Sequence, residues 1–288
     1  MDKLETGNLN QPLTHRARSF RLEAVVLRHN DWGEADRMLS LYSLEMGKLR
    51  VLAKGVRKPR SRKAGHLEPF IRLSLQLARG RDILLVTQAE TIEPHLALRD
   101  DLLLTTYAAY VVELLDRFTY EEGENRAIYR LLVDTLDRLN DTAVSSQPAG
   151  DQPAGQATPP LSPDVIVRYY EMRLLDYLGF RPLLFQCASC GEEIQPQDQF
   201  FSAEAGGVIC PKCAPRYPAA RQVSMQALKF MRHFQRSSFA EASRARPATI
   251  TGREIESLMQ YYLTYLLERG LNSPAFLRRL RQDKAGNE

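Results

Sequence analysis

The period of the apolar residues changes near residue 100, and no other feature restricts the fold as strongly. From Phe20 to Glu93 apolar residues alternate with polar ones or run in short blocks, RLEAVVLR, MLSLYSL, KLRVLAKGV, FIRLSLQL and DILLVTQAE. Side chains two residues apart share a face of a strand, so these blocks predict five strands. The breaks between them carry turn residues, at Asp31-Trp32-Gly33, Met46-Gly47, Lys58-Pro59-Arg60 and Gly80-Arg81-Asp82. Five short strands within roughly 75 residues fit a small barrel, and a five-stranded Greek-key barrel of the oligonucleotide-binding (OB) type is the common solution at that size. An SH3-like barrel is the alternative.

After Pro94 apolar residues recur at three and four, in LLLTTYAAYVVELLDRFTY, AIYRLLVDTLDRLN, DVIVRYYEMRLLDYLGF, VSMQALKFMRHFQRSSF and REIESLMQYYLTYLLERG. That is helical spacing. Between the second and third of these, residues 141–163 hold the repeat QPAGDQPAGQ and few side chains able to pack, which predicts a disordered surface loop inside one helical domain. The expected fold is a multidomain α+β chain. Residues 1–18 are expected to form a flexible extension, 19–98 an OB-fold domain and 99–288 a mainly α-helical domain, interrupted by the 141–163 loop and a cysteine module at 183–216.

That module is the most specific chemistry in the chain. Cys187-Ala-Ser-Cys190 is followed 19 residues later by Cys210-Pro-Lys-Cys213, and these are all four cysteines. Two C-x2-C pairs at such a separation suit a four-thiolate zinc site, because each pair folds into a tight turn that presents two sulfurs to one tetrahedral ion. Four thiolates leave no open position, so the metal, one zinc per chain, is expected to be structural. A rubredoxin-like iron site uses similar pairs, and four unconnected reduced cysteines are the plainest alternative. Reduced cysteines accord with a cytoplasmic protein, and the chain has neither a signal-peptide core nor an apolar run of membrane-spanning length, so no membrane partner is expected.

Charge divides the chain further. Residues 1–100 hold 18 Lys+Arg against 12 Asp+Glu, residues 101–268 hold 16 against 21, and residues 269–288 hold 5 against 2. Within the first region, Lys48 to Lys63 carries eight Lys+Arg and no acid. A solvated hairpin tip would account for such a run, yet it coincides with a barrel whose usual ligand is a polyanion. Trp32, Tyr42 and Phe70 are the aromatics able to stack on bases, although each residue type more often serves as core or plug. Catalytic motifs are lacking: there is no G-x-x-x-x-G-K-[ST] loop, G-x-S-x-G elbow or H-E-x-x-H, and the histidines stand singly. The chain is therefore expected not to be an enzyme. A metal-dependent nuclease lacks a carboxylate cluster, and a protein-interaction adaptor with no direct DNA role stays open as the other function class.

The run GEADRMLSLYSLEMGKLRVLAKGVRKPRSRKAGHLEPFIRLSLQLARGRD, Gly33 to Asp82, resembles the N-terminal domain of the bacterial recombination mediator family RecO. The resemblance continues through Tyr177-Leu178-Gly179-Phe180 and the cysteine pairs. It implies a mediator of RecF-pathway repair that binds single-stranded and duplex DNA and anneals complementary strands without ATP. It further implies RecR and single-strand-binding protein as partners, with RecA served indirectly. The basic loop of the family maps to Arg50, Lys54, Arg57, Lys58, Arg60, Arg62 and Lys63, and Arg37 falls with Gly33, Glu34 and Asp36 in a motif near the first hairpin. Trp32 is added as a stacking candidate. Glu34 and Asp36 read as turn and ion-pair residues, because carboxylates repel phosphate. The four cysteines match the zinc-binding members of the family; other members lack them, which makes the metal a stabiliser.

Overall fold

The computed structural model describes residues 18–121, 123–145, 161–268 and 270–285. Five strands, β1 (Ser19–Trp32), β2 (Asp36–Ser43), β3 (Gly47–Ala53), β4 (Arg72–Arg79) and β5 (Leu84–Glu93), close into a barrel in the order β1-β2-β3-β5-β4. Closure depends on β1. Its first half pairs with β4, its second half with β2, and a register shift between Val26 and Arg28 bends it from one neighbour to the other. On the opposite side β3 meets β5 in parallel, at Val51–Leu84 and Leu52–Leu85. This is the OB-type solution among the two barrels expected.

The run Ala24-Val25-Val26-Leu27 is apolar throughout because β1 is buried on both faces. Ala24 and Val26 join Leu39, Leu41, Val51, Leu73, Leu75 and Leu77 inside the barrel. Val25 and Leu27, with Tyr42 and Phe70, belong to the core of the helical part. Tyr42 and Phe70 are therefore unavailable for stacking on bases; the barrel's outer face needs cover, and these side chains supply it.

Helices follow: α1 (Leu96–Asp100), α2 (Leu102–Phe118), α3 (Arg126–Ser145) and α4 (Pro163–Tyr177), then α5 (Met225–Arg236), α6 (Phe239–Ala242), α7 (Thr249–Leu267) and α8 (Ser273–Ala285). Asp101 caps α2 by accepting from the backbone N–H groups of Leu103 and Leu104. α3 runs five residues into the segment expected to be loop, because Thr142 and Ala143 still face the core, and α4 already begins at Pro163. Residues 146–160 of that expected loop, and 1–17 of the expected extension, lie outside the described residues. No described helix is long and apolar enough to cross a membrane.

Candidate nucleic-acid interface and metal centre

The basic run leaves the barrel at the end of β3 and returns at β4, and its course is set by two apolar anchors. Val56 and Leu67 are buried in the barrel core, so the loop is pinned at both ends. Gly55 makes the first turn with φ +63, in the left-handed region that suits glycine. The β1–β2 hairpin then clasps the loop. Asp36 Oδ1 accepts from the Gly55 N–H at 2.7 Å, the Arg57 N–H donates to Ala35 O at 2.9 Å, and Arg57 Nη2 lies 3.3 Å from Asp31 Oδ2. Asp36 thus ties its side chain to the loop backbone rather than pairing with a cation.

Trp32, 55% exposed, pairs in this hairpin with Asp36, whose side chain holds the loop at Gly55. Lys54, Arg57, Lys58, Arg60 and Arg62 are exposed, and among the described residues Lys54, Lys58, Arg60 and Arg62 form no ion pair. The other three candidates have different surroundings. Arg37 donates to Glu68 Oε1 at 2.8 Å and lies 3.5 Å from Asp31, so its charge is largely matched within the protein. Lys63 turns inward, donating to Lys54 O at 3.2 Å and Val86 O at 3.0 Å, where it closes the loop onto the barrel. Arg50 projects from β3 toward the segment after α2 and meets Glu121 at 3.5 Å. Glu68 serves as a hub. Burial would raise its pKa, but hydrogen bonds from Arg37 and His29 outweigh that and hold it below the usual carboxylate value. The roles of Asp31 and Glu68 leave no mark in the sequence beyond their being acids near a basic run; their partners are set by how the strands pair.

The cysteines lie in a second locality, built on a small sheet of β6 (Gln199–Ser202), β7 (Gly207–Ile209) and β8 (Arg221–Val223) in the order β7-β6-β8. In the first knuckle the Gly191 N–H donates to Cys187 O at 2.8 Å, with Gly191 at φ +78; in the second the Cys213 N–H donates to Cys210 O at 3.0 Å. All four Sγ atoms fall within 4.8 Å of one another, and Cys190 and Cys210 are 3.9 Å apart. Thiolates bound to one tetrahedral zinc at about 2.3 Å stand about 3.8 Å from each other, so the residues fit that ion. The chemistry of the donors agrees. Cys187 Sγ accepts from the Cys210 backbone N–H at 3.3 Å, a donor that stabilises the thiolate form that binds metal. The module is continuous with the helical core rather than appended to it: Phe201 packs edge-on against Tyr262 of α7 at 5.4 Å, and Cys187 and Cys213 share its buried cluster.

Comparison with known proteins agrees with this architecture. The family description "Recombination protein O N terminal" matches residues 18–95, the barrel, and "Recombination protein O C terminal" matches residues 99–150 and 156–275. A DNA repair protein RecO of Roseiflexus sp. (strain RS-1) is 39% identical over 267 residues, covering 93% of this chain and 88% of that protein. The DNA repair protein RecO of Desulforudis audaxviator (strain MP104C) is 36% identical, covering 91% of this chain and 98% of its own. That of Pelotomaculum thermopropionicum is 35% identical, covering 93% and 97%.

Proposed function

The chain belongs to the RecO family of DNA repair proteins, and from that premise we propose that it binds single-stranded and duplex DNA through the Lys54–Arg62 loop and anneals complementary strands without nucleotide hydrolysis. The observation that carries the reading is the exposed, acid-free group Lys54, Lys58, Arg60 and Arg62, held with Arg57 by the hairpin that carries Trp32 at one end of an OB barrel. Annealing is opposed chiefly by repulsion between phosphates, so a surface that neutralises them and releases counterions removes the main barrier without a motor. Arginine forks and lysine ammonium groups on a loop contact the backbone and carry no base information, which suits a protein that must act on any sequence. Trp32 adds a π-face for an unpaired base. Arg37 and Lys63 support this surface from within, and Arg50 lies outside it.

In the same reading the cysteine site holds one structural zinc, and the protein works in the cytoplasm with RecR and single-strand-binding protein to prepare strands for RecA. The test is a titration with a labelled oligonucleotide, followed by annealing of complementary strands with and without single-strand-binding protein. Micromolar or tighter binding that weakens steeply with salt, and annealing without ATP, are expected. Absence of DNA binding would leave the interaction adaptor as the better account.

A further inference from the structure

Helix α5 has an outer face rich in cations. It contains no Asp or Glu, and it turns Ala227, Leu228, Met231, Phe234 and Gln235 inward. At about 100° per residue the opposite face carries Lys229, Arg232, His233 and Arg236. Lys229 and Arg236 are exposed, Arg232 half-buried. From Lys229 to Arg236 the helix advances about 10 Å, so the charges form a row rather than a cluster.

The extended segment Arg181–Gln186 runs beside this row. Arg232 Nε donates to Leu184 O and Gln235 Nε2 to Pro182 O, both at 2.8 Å, and burial alternates so that Pro182 and Leu184 face inward. Phe185 supplies a platform: the Arg236 guanidinium lies 3.4 Å from its ring centroid and that of Arg232 5.0 Å. An aromatic face beneath a guanidinium fixes the plane of the fork and leaves its donors free. Arg236 makes no ion pair among the described residues. Nearby acids are otherwise engaged or distant: Glu241 is held in the capping box of α6, and Glu193 acts on Arg232 only through space.

We propose that Lys229, Arg232 and Arg236, set on Phe185, form a second nucleic-acid surface that holds the backbone of a strand other than the one on the barrel loop. This rests on the reading of the chain as an annealing protein, in which two polyanions must be accommodated at once. The occupant is a phosphate backbone because annealing requires a second strand, and the guanidinium forks suit its oxygens; an acidic peptide is the alternative that the test separates.

The experiment uses the full-length protein and the variant Lys229→Glu/Arg236→Glu, which keeps Arg232 and its bond to Leu184. A labelled single strand is bound first, its complement is then added, and first-strand affinity and annealing rate are measured separately. First-strand affinity is expected to change by less than about twofold and annealing to slow by about tenfold, as two phosphate contacts become repulsions. Lys229→Gln/Arg236→Gln, which only neutralises the exposed positions, should give the same pattern more weakly and guards against misfolding. Annealing at the wild-type rate overturns the proposal, as does a fall in first-strand affinity as large as that of a barrel-loop variant, since the two regions would then be one surface. Normal annealing with lost binding of polyglutamate assigns the face to an acidic protein and overturns it likewise. A wild-type chain that anneals nothing removes the function proposed above, and this surface with it.

Discussion

Asp31 and Arg57 meet at 3.3 Å across the barrel mouth, and Asp31 also lies 3.5 Å from Arg37. A phosphate approaching Arg57 must compete with that carboxylate. An exposed ion pair of this kind contributes about 0–1 kcal/mol, so Asp31→Asn should tighten single-strand binding by about two- to fivefold. Unchanged or weaker binding in a fluorescence titration would mean that Arg57 does not face the DNA. The complementary change, Arg57→Ala/Lys58→Ala/Arg60→Ala, removes up to three contacts and should lower the magnitude of the salt slope on single strands by up to about 2, alike for all base sequences. Folding should survive, since the buried anchors Val56 and Leu67 are untouched. A wild-type slope in this variant would move the DNA site off the loop. The basic run was legible as charge alone. Which of its members face solvent was not: Arg37 is matched by Glu68, 31 residues away in sequence, and Lys63 spends its donors on carbonyls of β5 and the loop. Only the pairing of strands decides such contacts.

Elements were legible where burial is periodic. Each strand block and each long helical run has its counterpart, because a buried face imposes its period on the residues that fill it. α1 and α6 are too short to show a period. α8 is mostly polar, SPAFLRRLRQDKA, and is held at a few points: Glu113 of α2 accepts from the N–H groups of Asn272 and Ser273 at 2.9 and 3.0 Å, Leu277 enters the core, and Arg281 pairs with Asp164 and Glu256. The cysteine spacing announced a four-cysteine cluster but not its packing. Because Phe201, Cys187 and Cys213 lie in the helical core, loss of the ion should be felt beyond the module. Metal analysis of freshly purified, reduced protein is expected to give about one zinc per chain. Structural zinc sites carry apparent binding energies of about 10–16 kcal/mol, so stripping the metal, or Cys190→Ser, should lower the thermal transition of the helical part while leaving single-strand affinity nearly unchanged. A chelated protein that unfolds at the untreated temperature would show the site to be dispensable.

At the scale of the whole molecule, one carboxylate gathers contacts from three strands of the barrel onto the helices. Asp116, near the end of α2, receives Arg28 Nε of β1 at 2.7 Å, Ser40 Oγ of β2 at 2.8 Å and Lys48 Nζ of β3 at 3.0 Å, and Lys48 reaches Thr119 O as well. Around it, Tyr129 donates to Glu23 at 2.8 Å, and Val25, Leu27, Tyr42 and Phe70 bury the barrel's outer face. A barrel cut free at residue 98 would expose those side chains, so loop and α5 variants belong in the full chain. Burial alone would raise the Asp116 pKa, but hydrogen bonds from Arg28, Ser40 and Lys48 outweigh it and hold the carboxyl below its ordinary value. The unfolded chain therefore protonates Asp116 more readily than the folded one. The stability this carboxylate contributes is fully present above about pH 4 and is lost as pH falls through the depressed folded value. Asp116→Asn leaves Lys48 without its counter-charge and should cost about 2–3 kcal/mol at pH 7. It should also flatten the fall of stability below about pH 4, because the variant has no proton to take up there. Denaturant unfolding of both proteins between pH 7 and pH 3 measures the two effects together, and parallel curves with no gap between them would show that the joint lies elsewhere.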